Sequence, residues 1–270
     1  MSAQKKSSSI RSRRKRKRQM KRQIITGALI TCTALSIIVC YKTNWFTELP
    51  KDNKKAQVEQ LMTEAHYPQE LRKLLEENEE SYDFVENYAN REDYMGKPID
   101  LSDDFQKGSV PLLMQWDKRW GYDLYGNSMI GLAGCGPTCM TMAYLYQTGD
   151  LDMNPRTMAE FAQDSGFHTE EGTSWDFWTL GAEALGLYGE VVSLSENAMK
   201  SVLDNGGLLV CSMSAGDFTT GGHYILLRGY DDNGFFVNDP NRKTNSEKQW
   251  DYETLASQIK NLWGIYSDSE

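Results

Sequence analysis

Cys135 stands in the stretch Gly134-Cys135-Gly136-Pro137-Thr138-Cys139, between two glycines and just ahead of a proline, where a helix is due to begin. A thiol is inert until it becomes a thiolate, and the positive end of a helix favours the thiolate. Glycines on both sides leave room for a substrate carbonyl to approach the main chain, and the Cys135 N–H can then help hold an oxyanion. A lone cysteine at a helix start is also an ordinary small buried residue, so the chemistry needs a partner. Histidine is the usual base for a thiol nucleophile, and the chain has three. His66 lies in a charge-rich segment, and His168 follows Ser165-Gly166-Phe167 in a loop. His223 follows Gly221-Gly222 and opens the apolar run HYILLRGY. A rigid strand edge with bare glycines before it is a good mount for an imidazole. Cys135 and His223 are therefore the candidate pair. The chemistry they could do is attack on an amide, an acyl-thioester, then hydrolysis, with His223 as general base and acid.

Other site types find little support. The chain contains no G-x-x-x-x-G-K-[ST], no H-E-x-x-H and no G-x-S-x-G, so a P-loop, a zincin and a nucleophile-elbow hydrolase are excluded. Cys135, Cys139 and His223 imitate part of a zinc set, but no fourth ligand is at hand and the spacing is unlike common zinc motifs. Neither a metal nor a cofactor is expected. Cys139 is read as helix packing. Trp116, Trp120, Trp175 and Trp178 surround these motifs in sequence, as groove lining or as buried structural aromatics.

Several elements must position the pair. GCGPTCMTMAYLYQTG reads as a helix with Pro137 near its start and Gly149 at its end. NPRTMAEFAQDSG is a second helix, capped by Asn154; TSWDFWTLGAEALGL is a third; SENAMKSVLDNGG, capped by Ser195, is a fourth. Then the texture changes. GLLVCSM, HYILLRGY and FFVND are strand-like, with DDNG turning between the last two, and QWDYETLASQIKNLWGIY closes with a helix and a strand. Helices followed by strands predict an α+β domain with helices packed on an antiparallel sheet.

HYILLRGYDDNGFFVNDP resembles the histidine region of papain-like cysteine peptidases, in which a strand, Gly-Tyr, a turn and a second strand lead to an Asn or Asp. Within that fold the sequence is similar to the bacterial bacteriocin-leader (double-glycine) peptidases and their stand-alone relatives. The matching pieces are Gln115, Gly134–Thr138, His223 and Asp239-Pro240, with QWDKRW and the GTSW of residues 172–175 in support. The resemblance covers about residues 110–270. It implies a papain-like fold and a cysteine peptidase, with Asp239, sixteen residues after His223, orienting the imidazole and Gln115 donating its side-chain amide to the oxyanion hole. Counting along a ladder through the turn does not put Asp239 opposite His223, so a bulge or strong twist is required, and Asn238 is the alternative. Two further readings keep the same pair, a cell-wall amidase and an acyltransferase. A third is a non-catalytic peptide-binding module.

The 270 residues carry a net charge of −9, but the charge is segregated. Of 29 basic residues, eleven fall within the first 22 positions, where there is no Asp or Glu; the other eighteen face 38 acidic residues. A basic tail on an acidic body argues against a nucleic-acid partner and points to topology. Ile24–Tyr41 is free of charge over eighteen residues, about 27 Å as a helix and near the thickness of a bilayer core. With the basic run before it, this predicts a signal-anchor helix in contact with membrane lipid, the N-terminus cytoplasmic and the rest extracellular. The organisation expected is a basic tail over 1–23, a transmembrane helix over 24–41, a helical arm over 42–108 and a papain-like peptidase domain over 109–270. The arm is amphipathic, with Leu71, Leu74, Leu75, Tyr82, Val85 and Tyr88 at helical spacing, and such a stripe needs a surface to pack on. The expected partner is a peptide or protein substrate; the oligomeric state is left open.

Overall fold

The computed structural model describes residues 51–268. The chain divides into two units, Met1–Gln57 and Val58–Glu270, and the account below concerns the second. The expected basic tail and the apolar segment 24–41 lie outside the described residues. The membrane placement is corrected: among the described residues no helix is long and apolar enough to cross a membrane. The cytoplasmic N-terminus and extracellular domain rested on that span and fall with it.

The sheet is antiparallel throughout. Its strands are β5 (Leu187–Val191), β6 (Leu208–Met213), β7 (His223–Asp231), β8 (Gly234–Asn238), β9 (Gln249–Trp250) and β10 (Ile259–Ser267), in the order β5-β10-β6-β7-β8-β9. All six residues of β6 are buried, because both faces of the sheet are covered and alternate side chains enter different cores. Leu208, Val210, Leu226, Trp263 and Ile265 join the core built around the helix Cys135–Thr148. Leu209, Cys211, Ile225, Leu227 and Val237 join the opposite core, with Met199 and Val202 from the helix Glu196–Asp204. Helices on an antiparallel sheet make the α+β class that the order of elements predicted.

Several elements differ from the sequence reading. The third predicted helix is a 3-10 turn over Trp175–Trp178 followed by a short helix, Leu180–Ala184. Phe177 and Trp178 must both be buried there, and a tight turn that ends at Thr179 accomplishes this where a continuous helix would carry one of them outward. Two small hairpins escaped the sequence reading, β1 (Leu124–Tyr125) with β2 (Ser128–Met129) and β3 (His168–Thr169) with β4 (Gly172–Thr173). Strands of two residues have no readable periodicity. The region 58–95 is also more broken than its stripe predicted. A helix over Gln69–Glu77 stops at Asn78, which is extended (φ −144°, ψ 96°), and shorter turns continue to Asp93. Its apolar side nevertheless packs as expected of such a stripe. Leu71, Leu74, Leu75, Phe84 and Val85 close over Tyr122, with Trp116, Met129 and Leu132 at the margin.

Candidate active site

The helix that begins at Cys135, α1 of the site (Cys135–Thr148), has Gly134 at its cap and ends on Gly149 in the left-handed region (φ 71°). Cys135 is its first residue and is half-buried. The two flanking glycines have a different use from the one expected. A Cβ on Gly136 would lie 2.3 Å from Thr173 Oγ1, and one on Gly134 would lie 2.6 Å from the Ile130 carbonyl oxygen. These glycines let β4 and the preceding turn press against the helix start, and the space is filled by protein. Thr173 is pinned there, sharing a hydrogen bond with the Tyr125 hydroxyl (2.8 Å) and accepting one at its carbonyl from the Tyr224 hydroxyl (2.9 Å).

His223 is the first residue of β7, paired with Met213 of β6, and is 7% exposed. Its Nε2 lies 2.7 Å from Asp239 Oδ1, which leaves Nδ1 for the Cys135 thiol. Asp239 is fully buried just after β8. Its Oδ1 also accepts from the backbone N–H groups of Asn241 (2.8 Å) and Arg242 (3.2 Å), Oδ2 accepts from Asn245 Nδ2 (2.7 Å), and its own N–H donates to Ser246 Oγ (2.9 Å). The register shift between Leu227 and Gly229 supplies the bulge that plain ladder counting required. The alternative, Asn238, turns the other way. Its Oδ1 accepts from Arg228 and its Nδ2 donates to the Pro111 carbonyl, because successive strand residues leave opposite faces.

Three groups hold one another's charge. Burial pushes the Cys135 thiol up, but the hydrogen bond and charge of His223, with the N–H groups of Tyr224 and Gly136, pull harder, and the thiol ends below the ordinary cysteine range. Burial pushes His223 down, and the Asp239 carboxylate and Cys135 outweigh it, so the imidazole is pushed up to about 10. Burial likewise raises Asp239, while His223, Asn245 and the Asn241 N–H bring it below the usual carboxylate range. The arrangement can therefore hold a thiolate beside an imidazolium. Cys139 is different: it is buried in the core with Sγ on the Tyr224 carbonyl (3.5 Å), and burial drives its thiol well up.

Gln115 does not line the open cleft. Its Nε2 donates to the Gly131 carbonyl (3.1 Å), one helical turn before Cys135, and its buried Oε1 has no partner among the described residues. The cleft above Cys135 and His223 measures about 970 Å³. Trp175, 52% exposed, lines one side, whereas Trp120 and Trp178 are buried structural aromatics. His168, read as a loop residue, lies in β3 on the cleft wall with its ring edge-on to Tyr125 (4.6 Å). Asn245, Ser246 and the β3–β4 hairpin were missed by the sequence reading. Only the turn-forming Gly172 (φ 108°) offered a signal for any of them.

The Peptidase_C39 like family matches residues 107–270, more than half of the chain. The chain belongs to this family. Among solved structures, the chain is similar to the peptidase domain of Streptococcus ComA, described as a bi-functional ABC transporter involved in a quorum-sensing pathway. That likeness is at 17% identity and a TM-score of 0.36, covering 50% of this chain and 90% of that one. It is also similar to a C39-like peptidase from Bacillus anthracis at 15% identity and a TM-score of 0.37, covering 60% and 96%. At these values neither likeness bears on the substrate of this chain, and the family assignment rests on the match over 107–270. No curated protein matches. The Peptidase_C39 like region begins after the arm, so residues 58–106 are additional to it.

Proposed function

We propose that this chain is a cysteine peptidase with Cys135 as nucleophile, His223 as general acid and base, and Asp239 as the residue that orients His223. The observation that carries the reading is the 2.7 Å contact from His223 Nε2 to a buried Asp239 carboxylate, with the half-buried Cys135 thiol beside the other face of the ring at the bottom of a cleft. In the proposed cycle the Cys135 thiolate attacks the peptide carbonyl carbon and the carbonyl electrons move to oxygen. The tetrahedral adduct collapses as His223 gives its proton to the leaving amine, leaving a thioester and a neutral imidazole. Water, deprotonated by His223, attacks the thioester; the acid leaves and the thiolate–imidazolium pair is restored. Gln115 is the proposed side-chain donor to the oxyanion. An amide NH2 carries two hydrogens and the Gly131 carbonyl takes one, so one remains. Residues 109–270 would form the peptidase domain and the segment before it an arm.

The test is hydrolysis of a peptide library by the purified chain beside its Cys135→Ala variant. Cleavage by the wild type, lost in the variant at unchanged circular dichroism, supports the reading. Equal cleavage by both removes Cys135 from the chemistry.

A further inference from the structure

The loop and short helix after Asp239 are held from outside the family domain. Asn245 and Ser246, which bind the Asp239 carboxylate and N–H, belong to the four-residue helix Lys243–Ser246. Its first two N–H groups donate to one carboxylate, Glu80: Lys243 N to Oε2 (2.6 Å) and Thr244 N to Oε1 (3.0 Å). Two residues earlier, the buried Asn78 donates from Nδ2 to the Asn241 carbonyl, and the N–H of that same Asn241 is on Asp239 Oδ1. The Arg242 guanidinium reaches the Glu77 carbonyl, and Trp116 Nε1 donates to the Asn241 carbonyl as well (2.7 Å). Asn78 is the residue at which the arm breaks its helix. Its Oδ1 caps the following turn by accepting from Glu80 N (3.1 Å), which sets Glu80 beside the helix start.

We infer that Asn78 and Glu80, on the arm before residue 107, are positioning residues that hold the Asp239 loop, and through it His223, in the productive arrangement. The inference rests on the proposed function. Physically, a buried carboxylate is a good partner for an imidazolium only if its rotamer is locked, and the lock here is Asn245, Ser246 and the Asn241 and Arg242 N–H groups. Each of those stands on backbone that the arm grips. Remove the grip and the loop gains freedom at the third member of the site. The groups around Asp239 that bear on its charge are His223 from β7, Cys135 and Cys139 from α1, and the dipoles of Asn245 and the loop N–H groups. The arm contributes the Glu77 and Glu80 carboxylates farther out, on Thr220 and on the helix start.

The experiment reads the rate of Cys135 alkylation by iodoacetamide against pH in the full chain, with Cys135 identified by peptide mapping. The variants are Glu80→Ala, Glu80→Gln and Asn78→Ala, with Leu71→Ala as a control that damages arm packing away from the loop. The expected result is a drop of roughly tenfold at neutral pH in Glu80→Ala and Asn78→Ala, with the profile moved toward the ordinary thiol range. Glu80→Gln, which keeps one acceptor, should recover part of it. Leu71→Ala should lower Tm and leave the profile in place. If wild-type Cys135 is fast and the Glu80→Ala profile is unchanged, or if Leu71→Ala shifts it as much at equal loss of Tm, the positioning role is overturned while the peptidase reading stands. A wild-type Cys135 no faster than an ordinary thiol overturns both.

Discussion

A single proton decides the reactivity of Cys135. The other two thiols among the described residues, Cys139 and Cys211, are buried and pushed up by burial, so only Cys135 should react with iodoacetamide in the folded chain near neutral pH. Equal labelling of Cys211 without unfolding would contradict this. Asp239 should govern kcat. Asp239→Ala is expected to lower kcat by at least about a hundredfold with a smaller effect on KM, since it removes the partner of an imidazolium that persists through the chemical steps. It should also narrow the pH range over which the thiolate–imidazolium pair survives. Asp239→Asn should be milder, because an amide oxygen can still accept from Nε2. Asn238→Ala should instead act on stability, because its partners are Arg228 and the Pro111 carbonyl. Steady-state kinetics on the three variants decides the matter: a larger kcat loss in Asn238→Ala than in Asp239→Ala would refute the assignment.

Between elements, the tightest junction at the site is that of the α1 start with β4. Gly136 is needed because Thr173 occupies the place of its Cβ, and Thr173 is fixed by Tyr125 and Tyr224. Gly136→Ala should therefore cost about 1–3 kcal/mol of stability through overpacking and lower activity by moving the helix start. Thr173→Gly removes the obstacle, so the double variant should be more stable than the sum of the single losses. A double-mutant cycle by urea unfolding measures this. Strict additivity would mean that Thr173 and Gly136 do not press on each other. The hairpin has little sequence signature, since two-residue strands are set by what they lie against rather than by their own pattern. The helix start is different: its glycines, proline and cysteine were visible, although the use of the glycines in packing was not.

Over the whole molecule, the Cys135–His223 pair predicts an unusual pH dependence of stability. A histidine whose folded pKa is raised from 6.5 to about 10 contributes stability that is complete below 6.5 and lost as pH rises toward 10. A thiol lowered from 9.0 contributes the reverse: its share is present above 9.0 and lost as pH falls through the folded value. Between about 7 and 9 the folded chain has gained one proton on His223 and given one up at Cys135 relative to the unfolded chain, so the two slopes oppose each other. The wild-type Tm should be nearly flat across that window on this account. In Cys135→Ala only the histidine slope remains, and Tm should fall from pH 7 to 9. Calorimetry of both proteins over that range tests the idea; parallel curves would show that the pair is not charged in the folded state.

The sequence by itself determined the class of fold and the candidate nucleophile and base. Those depend on local signals: a change from helical to strand period, a cysteine among helix-start residues and a histidine after paired glycines. It also marked the arm as a surface that needed a partner. What only the tertiary structure decided was the choice between Asn238 and Asp239, the filling of the Gly136 space by Thr173, and the grip of Glu80 and Asn78 on the loop after Asp239. Each of these depends on contacts between segments far apart in the chain, or on a single bulge that reverses which way a strand residue points. Neither composition nor periodicity carries that information, because side-chain partners across 160 residues, such as Glu80 and Thr244, are set by packing alone.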